Sequence, residues 1–232
     1  MCTFKRGLIL VVVAVAGVSL VMGQEQEMSI EEAYLREAIE MMIIRETSRA
    51  STLEQKMIAL DYIQSALSRG STNDEIRVAL EFLTLEGTQN RAMENGRLVN
   101  NFPSIRLRAA RYLGDVGNQA AVETLLRVIM AENEPMVLQE AIRSLGVIGL
   151  NENGDVIATI VRAAGAFHTV KPDDMVALSA VDAISKIAFK TGGLRDPNAV
   201  QYIIKIADGP YVRPVQERAR QVMSDLRWSG SN

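Results

Sequence analysis

Few side chains in this sequence have the types and the spacing that catalysis or metal binding needs. The chain contains one histidine, His168, and one cysteine, Cys2. One imidazole without a cysteine partner cannot build a Ser-His or Cys-His catalytic system in its usual form. The same two residues are too few for a Cys/His metal site. We therefore predict no catalytic residue, no metal ligand and no cofactor, and we expect His168 to lie in a loop before Pro172.

Two further patterns resemble ligand-binding loops only in part. Asn151, Asn153 and Asp155 alternate oxygen-bearing side chains as a calcium loop does, but Gly154 stands at its fourth position and Arg162 replaces the bidentate acid. This segment is better interpreted as a turn followed by a helix cap. Two Gly-x-x-Gly pairs follow helical stretches rather than strands, so they do not predict a phosphate-binding loop.

Arginines supply the more informative chemistry. Arg106, Arg108 and Arg111 are close together in the sequence, and Arg143 lies further along the chain. Such a set predicts either a partner-binding surface that is basic at one end, or a solvated helix face with a few weak ion pairs. The net charge of −3 disfavours a general nucleic-acid binder. The candidate partner-binding residues are Arg106, Arg108, Arg111, Tyr112, Arg143, Asp182 and Lys186.

An internal repeat determines how these residues are arranged. The segment PSIRLRAARYLGDVG at 103–117 returns as PMVLQEAIRSLGVIG at 135–149, and this register pairs Arg143 with Arg111. Two weaker copies follow, in which the position of Val137 returns at Val176 and again at Val215. A regular spacing of this length indicates stacked units, each of which buries its apolar face against its neighbours.

The repeated helix resembles the HEAT-like repeat family, in its short PBS-lyase type, through the pattern V-R-x-x-A-x-x-A-L-G-x-I-G. The resemblance implies an all-α fold, a right-handed α-solenoid of stacked antiparallel helix pairs. It also implies that the repeated helix is the second of each pair and lines the concave face. Two rows would then run along that face, namely Arg108, Glu140, Ser179 and Arg218, and Arg111, Arg143, Asp182 and Gln221.

The segment 1–23 predicts a targeting signal. Lys5 and Arg6 precede an uncharged apolar run at 7–21, which ends in Val21-Met22-Gly23. This layout is typical of a secretory signal peptide with cleavage after Gly23. An uncleaved anchor is the alternative, although the run of about 15 residues is short against the ~20 that a spanning helix needs. We expect a periplasmic or secreted protein that contacts a membrane only if the signal is retained.

Helix signals complete the predicted organisation. Three capping boxes, at Ser29-x-x-Glu32, Ser51-x-x-Glu54 and Thr72-x-x-Glu75, predict three helices, the first with an apolar stripe of Leu35, Ile39 and Met42. We divide the chain into a signal at 1–23, a helical cap and degenerate repeat with a linker at 24–102, a repeat array at 103–228 and a tail at 229–232. Within the array we expect helices at 105–116, 119–130, 134–148, 155–164, 174–188, 199–207 and 213–226.

The function predicted from these features is that of a non-enzymatic scaffold. A solenoid offers an extended surface without a deep polar pocket, which suits binding to another protein. A membrane-anchored assembly component is one alternative. A lyase-like enzyme is another, since the short HEAT-like repeat takes its name from pigment-attaching lyases.

Overall fold

The computed structural model describes residues 29–170 and 172–229, and within these the chain forms ten α-helices. The predicted signal at 1–23 and the last three residues lie outside the described residues. The helices are α1 (Ile30–Arg49), α2 (Leu53–Ser68), α3 (Asp74–Leu85), α4 (Pro103–Val116), α5 (Gln119–Ala131), α6 (Pro135–Ile148), α7 (Asp155–Val170), α8 (Asp174–Lys190), α9 (Pro197–Asp208) and α10 (Arg213–Ser229).

The helices form two layers. Each even-numbered helix packs against the next even-numbered helix, and each odd-numbered helix packs against the next odd-numbered one. Within a pair, α1 packs on α2, α3 on α4, α5 on α6, α7 on α8 and α9 on α10. The predicted all-α solenoid of helix pairs is therefore confirmed, and a single apolar core runs through all five pairs.

The repeat array begins earlier than predicted. Helix α3 packs on both α4 and α5 although residues 86–102 separate it from α4 in sequence. The boundary predicted at residue 103 therefore falls between the two helices of one pair. The long connection contains a small antiparallel hairpin, β1 (Met93–Glu94) and β2 (Arg97–Leu98). Its turn, Asn95-Gly96, has positive φ at both residues, which matches the twist of a tight hairpin.

Helix caps follow the predicted chemistry but not always the predicted residue. At Ser29 the capping box is present, with both reciprocal hydrogen bonds at 3.1 Å. The boxes predicted from Ser51 and Thr72 are wrong by one residue, because α2 is capped by Thr52 and α3 by Asn73. Asparagine is a stronger N-cap than threonine, which explains the shift from Thr72 to Asn73. At both sites two residues that can cap a helix are adjacent, so the backbone conformation determines which of them is the N-cap.

Helix α7 is longer than predicted and includes His168, so the loop expected there is wrong. The only glycine in its second half is Gly165, and a helix tolerates one interior glycine at a cost of about 1 kcal/mol. The first residue that cannot continue the helix is Pro172.

By contrast, α4 and α6 end as predicted at Gly117 and Gly149, which adopt φ of 71° and 72°. Their N–H groups donate to the carbonyls of Leu113 and Leu145.

Candidate partner-binding face

The exposed side of α4, α6, α8 and α10, which we name the even face, carries the residues predicted to bind a partner. In α6, burial of Val137, Ala141 and Leu145 leaves Arg143 and Val147 on this side. The helical period repeats this arrangement along α4, α8 and α10. The even face is thus a row of four parallel strips, one on each of these helices.

Arg106 does not belong to the even face, contrary to the prediction. Only 2% of the residue is exposed, and its guanidinium contacts both carboxylate oxygens of Glu132, at 2.7 and 3.1 Å. It also donates to the Asn101 side chain at 2.8 Å and to the Glu86 carbonyl at 3.3 Å. A partner cannot reach this side chain. Arg106 is close in sequence to the more exposed arginines of α4, but its position on the helical turn directs its side chain into the protein.

A second buried ion pair lies next to Arg106. Lys56 contacts Glu86 at 2.9 Å, donates to the Ser48 carbonyl at 3.1 Å and lies 5.4 Å from the centre of the Phe82 ring. Asn100 donates to Glu86 and to the Asn90 carbonyl. Together with Arg106 and Glu132, these groups form what we name the loop network, which fixes the connection 86–102 to its surrounding helices.

Tyr112 is also buried and is not an interface anchor, contrary to the prediction. The exposed fraction of the residue is 7%. Its hydroxyl donates to Gln64 at 2.9 Å and accepts from Arg108 at 3.0 Å. Arg108 in turn forms an ion pair with Asp61 at 2.8 Å. This group joins α4 to α2, so Arg108 is largely committed to a contact inside the solenoid.

The structure brings Arg111 and Arg143 together, as predicted. Both arginines, however, bind the carboxylate of Glu140, which lies between them. Glu140, which was expected to point outward, is 6% exposed. Arg111 Nε lies 3.0 Å from Glu140 Oε1, and Arg143 Nη2 lies 2.5 Å from the same oxygen. The exposed fractions of the two arginine side chains are 52% and 39%. We name these three residues, with the neighbouring Asp115, the arginine cluster, whose formal charges cancel.

Electrostatics within the arginine cluster shift two carboxyl groups in opposite directions. Burial alone would raise the pKa of Glu140, but hydrogen bonds from Arg143 and Arg111 outweigh it and lower the pKa. Burial raises the pKa of Asp115, against the attraction of Arg143 and Arg111 and with a contribution from the negative charge of Glu140. Glu140 is therefore the structural anion that holds the two arginines in place.

Further along the even face, Asp182 and Lys186 have different environments. Asp182 accepts from Arg218 of α10 at 2.6 Å, so it joins two neighbouring pairs. Lys186 is exposed and makes no ion pair or side-chain hydrogen bond with the described residues. Of the seven candidate residues, Lys186 is thus the cation left most available to a partner.

Lys186 borders an open groove of about 1400 Å³ between the C-terminal end of α8 and helices α9 and α10. Phe189, one turn further along α8, lines the same groove and is 85% exposed. Apolar side chains of Val147, Ile204 and Met223 continue the lining. We did not predict Phe189 from the sequence, although its position outside the core series of Ile184 and Ile187 indicated an exposed aromatic residue.

The groove opens where the repeat loses a glycine. A Cβ atom at Gly114 would lie 2.8 Å from the Ser144 hydroxyl, and one at Gly146 would lie 2.8 Å from the Ala183 Cα. These glycines let α6 approach α4, and α8 approach α6. Ser185 occupies the equivalent position in α8 and lines the groove. The contact between α8 and α10 is less extensive than the contact between α6 and α8.

No helix in the described ranges is long and apolar enough to cross a membrane. Among the same residues, no group of three or more histidine, cysteine, aspartate or glutamate side chains has a geometry that could hold a metal ion.

Comparison with known proteins supports the repeat assignment. The family model for HEAT repeats matches residues 97–164, which contain α4, α5 and α6 and the first part of α7. A chain in the structure of the complex of CpcE and CpcF of phycocyanin lyase from Nostoc sp. PCC7120 is similar, with a TM-score of 0.56 and 18% sequence identity. The match covers 81% of this chain and 65% of that chain. No curated protein matches the chain significantly. The predicted resemblance to HEAT-like repeats is thus confirmed, and at this identity the structural similarity shows the fold alone.

Proposed function

We propose that this protein is an exported, non-enzymatic scaffold that binds another protein through the even face, with the groove at α8 as the main contact. HEAT repeats offer extended surfaces for protein partners, and the similar solved structure is itself a complex of two proteins. The partner-binding residues in this proposal are Phe189, Lys186, Arg111 and Arg143.

Phe189 is the observation that carries the proposal. Exposing 85% of a phenylalanine beside an open apolar groove is unfavourable in water unless a partner covers it. Aromatic side chains, phenylalanine among them, are enriched in the cores of protein interfaces. Lys186 lies one helical turn before Phe189, whereas neighbouring Lys190 is already engaged with the Val147 and Ile148 carbonyls.

These features define the chemistry of the partner. We expect a segment with an apolar side chain that enters the groove beside Phe189 and a carboxylate that pairs with Lys186. The arginine cluster offers a further contact, because Arg111 and Arg143 retain exposed N–H donors beyond those bound to Glu140. A carboxylate or a backbone carbonyl of the partner would accept from them.

Export rests on the layout of the segment 1–23, with two basic residues, an apolar run and a small residue at the end. Amino-terminal sequencing of the protein purified from its native cells should begin at Gln24. Recovery of an uncleaved chain, still carrying the segment 1–23, from the membrane fraction would instead favour the anchored alternative.

Site-specific photocrosslinking tests the groove directly. With benzoylphenylalanine at position 189, we expect a discrete crosslinked product in native cells, and Lys186→Glu in the same chain should reduce its yield several-fold. Position 130 is the matched control, because Met130 is also exposed, at 54%, but lies on α5 away from the groove. Equal products from positions 189 and 130 would contradict the proposal.

A lyase-like function is the second candidate, and it is supported by the structural similarity to a chain of the phycocyanin lyase complex. Incubation of the purified protein with phycocyanin, followed by its absorption spectrum, distinguishes the two functions. If the protein is a scaffold, the phycocyanin spectrum should stay unchanged at every ratio of this protein to phycocyanin. If the spectrum changes with time when this protein is present in much less than equimolar amount, the result would favour an enzyme.

A further inference from the structure

Two turns of this chain contain an asparagine followed by a glycine, and the sequence has no other Asn-Gly pair. Asn95-Gly96 forms the turn of the small hairpin, and Asn153-Gly154 lies in the short 3₁₀-helix Glu152–Gly154 that precedes α7. Both asparagines are exposed, and all four residues have positive φ, between 49° and 82°. The two pairs therefore occupy the same kind of tight turn at the surface.

Neither asparagine side chain is held in place. Among the described residues, none forms a hydrogen bond with the side-chain amide of Asn95 or Asn153. The Gly96 N–H likewise has no hydrogen-bond acceptor in the part of the chain that the structure describes. The Gly154 N–H donates to the Asn151 carbonyl at 3.4 Å, which is longer than the usual range of about 2.7–3.2 Å. In each turn, the amide and the backbone nitrogen that follows it are thus weakly restrained.

We propose that Asn95 and Asn153 are modification sites, at which the side-chain amide is lost and isoaspartate forms. The backbone nitrogen of the glycine attacks the asparagine Cγ and forms a new C–N bond. The Cγ–Nδ2 bond breaks, and the amide group leaves as ammonia with the proton that the glycine nitrogen loses. Water then opens the five-membered succinimide ring, at the side-chain carbonyl to give aspartate or at the backbone carbonyl to give isoaspartate. Each event consumes one water, releases one ammonia and adds one negative charge, and no atom is oxidised or reduced.

The glycine and the weak turn together allow the ring to close. Because glycine has no Cβ, it does not obstruct the approach of its nitrogen to Cγ, and its backbone rotates freely. The asparagine must leave its left-handed conformation for this approach, so the turn has to open transiently. A hairpin with two residue pairs is marginally stable by itself, and the bond that closes the 3₁₀ turn at Gly154 is long. Exposed turns of this kind open at a low cost in free energy.

Other asparagines of the chain provide an internal comparison. Asn73 and Asn118 cap α3 and α5, and their side-chain oxygens accept backbone N–H bonds at 3.0 and 2.9 Å. Neither is followed by glycine, so a bonded amide and the Cβ of the next residue both oppose ring closure. Asn133 is exposed in the loop between α5 and α6, but the next residue is Glu134. Asn133 therefore separates the effect of exposure from the effect of glycine.

Storage of the purified, folded chain in mildly alkaline buffer tests the proposal. Peptide mass spectrometry measures the conversion of amide to acid at each asparagine, and enzymatic methylation of isoaspartyl carboxyl groups measures the isoaspartate. We expect conversion at Asn95 and Asn153 to be several-fold faster than at Asn133 and at the capping asparagines. Equal rates at Asn133 would overturn the proposal. It would also be overturned if Asn95 and Asn153 react in urea but stay intact in the folded chain, because the turns would then protect them.

Glycine substitutions give an independent measurement on matched variants. The double variant Asn95→Gly/Asn153→Gly removes both amides and keeps both turns, because glycine adopts positive φ without strain and Gly-Gly is a favoured hairpin turn. We expect this variant to lose nearly all of the isoaspartate that the stored wild type accumulates. Asn133→Gly is the control and should leave the isoaspartate yield unchanged. A wild-type yield from the double variant would place the reaction at other residues and overturn the proposal.

Discussion

Arg106 shows how much depends on the direction of one side chain. It lies two residues before Arg108 and five before Arg111, yet 2% of Arg106 is exposed. Its fork-shaped guanidinium binds both oxygens of Glu132, a geometry that lysine could not reproduce. Glu132 also accepts from the backbone N–H groups of Asn133 and Glu134, so the pair is fully bonded.

Removal of one partner from this pair should be strongly destabilising. We expect Arg106→Met to reduce the free energy of unfolding by about 3–5 kcal/mol, because it leaves the Glu132 carboxylate buried without its cation. Urea unfolding followed by far-ultraviolet circular dichroism measures the change. Arg111→Met, at a side chain that is 52% exposed, is the control and should cost under about 1 kcal/mol. Equal losses in both variants would show that the buried pair has no special role.

The arginine cluster predicts a pH dependence with a defined sign. Its buried anion, Glu140, has a lowered pKa, so it stabilises the fold at pH values above its unfolded pKa of about 4.3. That contribution disappears as the pH falls through the lower, folded pKa. The stability difference between wild type and Glu140→Gln should therefore be largest near neutral pH and shrink in acid. Urea unfolding between pH 3 and pH 7 measures it.

Asp115 supplies the matched contrast within the same cluster. Its pKa is raised, mainly by partial desolvation, so ionisation of this carboxyl opposes folding. Replacement by asparagine should therefore change stability in the opposite direction as the pH rises, and the same unfolding series reveals it. Parallel pH profiles for Glu140→Gln and Asp115→Asn would contradict the assignment of the two carboxyl groups.

At the scale of helices, two single glycines, Gly114 and Gly146, let neighbouring helices pack closely. Gly146 allows α8 to approach α6, and Ser185 stands at the corresponding position of α8, whose contact with α10 is less extensive. We expect Gly146→Ala to lower the free energy of unfolding by about 1–3 kcal/mol, because the added Cβ would lie 2.8 Å from the Ala183 Cα. Thermal unfolding compares the variants.

Gly165→Ala is the control for this prediction. It is also a helical glycine, but an added Cβ there meets nothing within 4 Å. Replacement should raise stability by up to about 1 kcal/mol, since alanine favours a helix over glycine. A loss of stability at position 165 comparable to that at position 146 would mean that close packing does not distinguish the two sites.

Sequence periodicity predicted the helices well because each one repeats its own apolar spacing. The Pro starts of α4 and α6 and the glycine ends at Gly117 and Gly149 fix those helices locally. Periodicity did not predict which side of α1 faces a neighbour, because that depends on how many helices surround it. The pairing of α3 with α4 was missed for the same reason, since the connection between them interrupts the pattern.

For the whole molecule, the repeat predicted the fold class but not the binding site. Equal spacing placed Arg111 beside Arg143 correctly, yet the burial of Glu140, Tyr112 and Arg106 depends on contacts with other helices. The groove was not predictable from any one helix, because it combines a missing glycine in α8 with side chains of α9 and α10. Lys186 was among the candidate residues, whereas Phe189 was not.

The loop network has a consequence for the way in which the solenoid opens. In an ordinary repeat protein each unit contacts only its neighbours, so local unfolding can begin at either end. Buried ion pairs strengthen two successive contacts between units here, because Lys56 of α2 binds Glu86 at the end of α3 and Arg106 of α4 binds Glu132 at the end of α5. We therefore expect the first three helix pairs to unfold together. The contact of α8 with α10 is less extensive than that of α6 with α8, so we expect the last pair to open at a lower free energy than the block before it. We therefore expect amide hydrogens in α9 and α10 to exchange by local opening, and faster than those in α4 and α6.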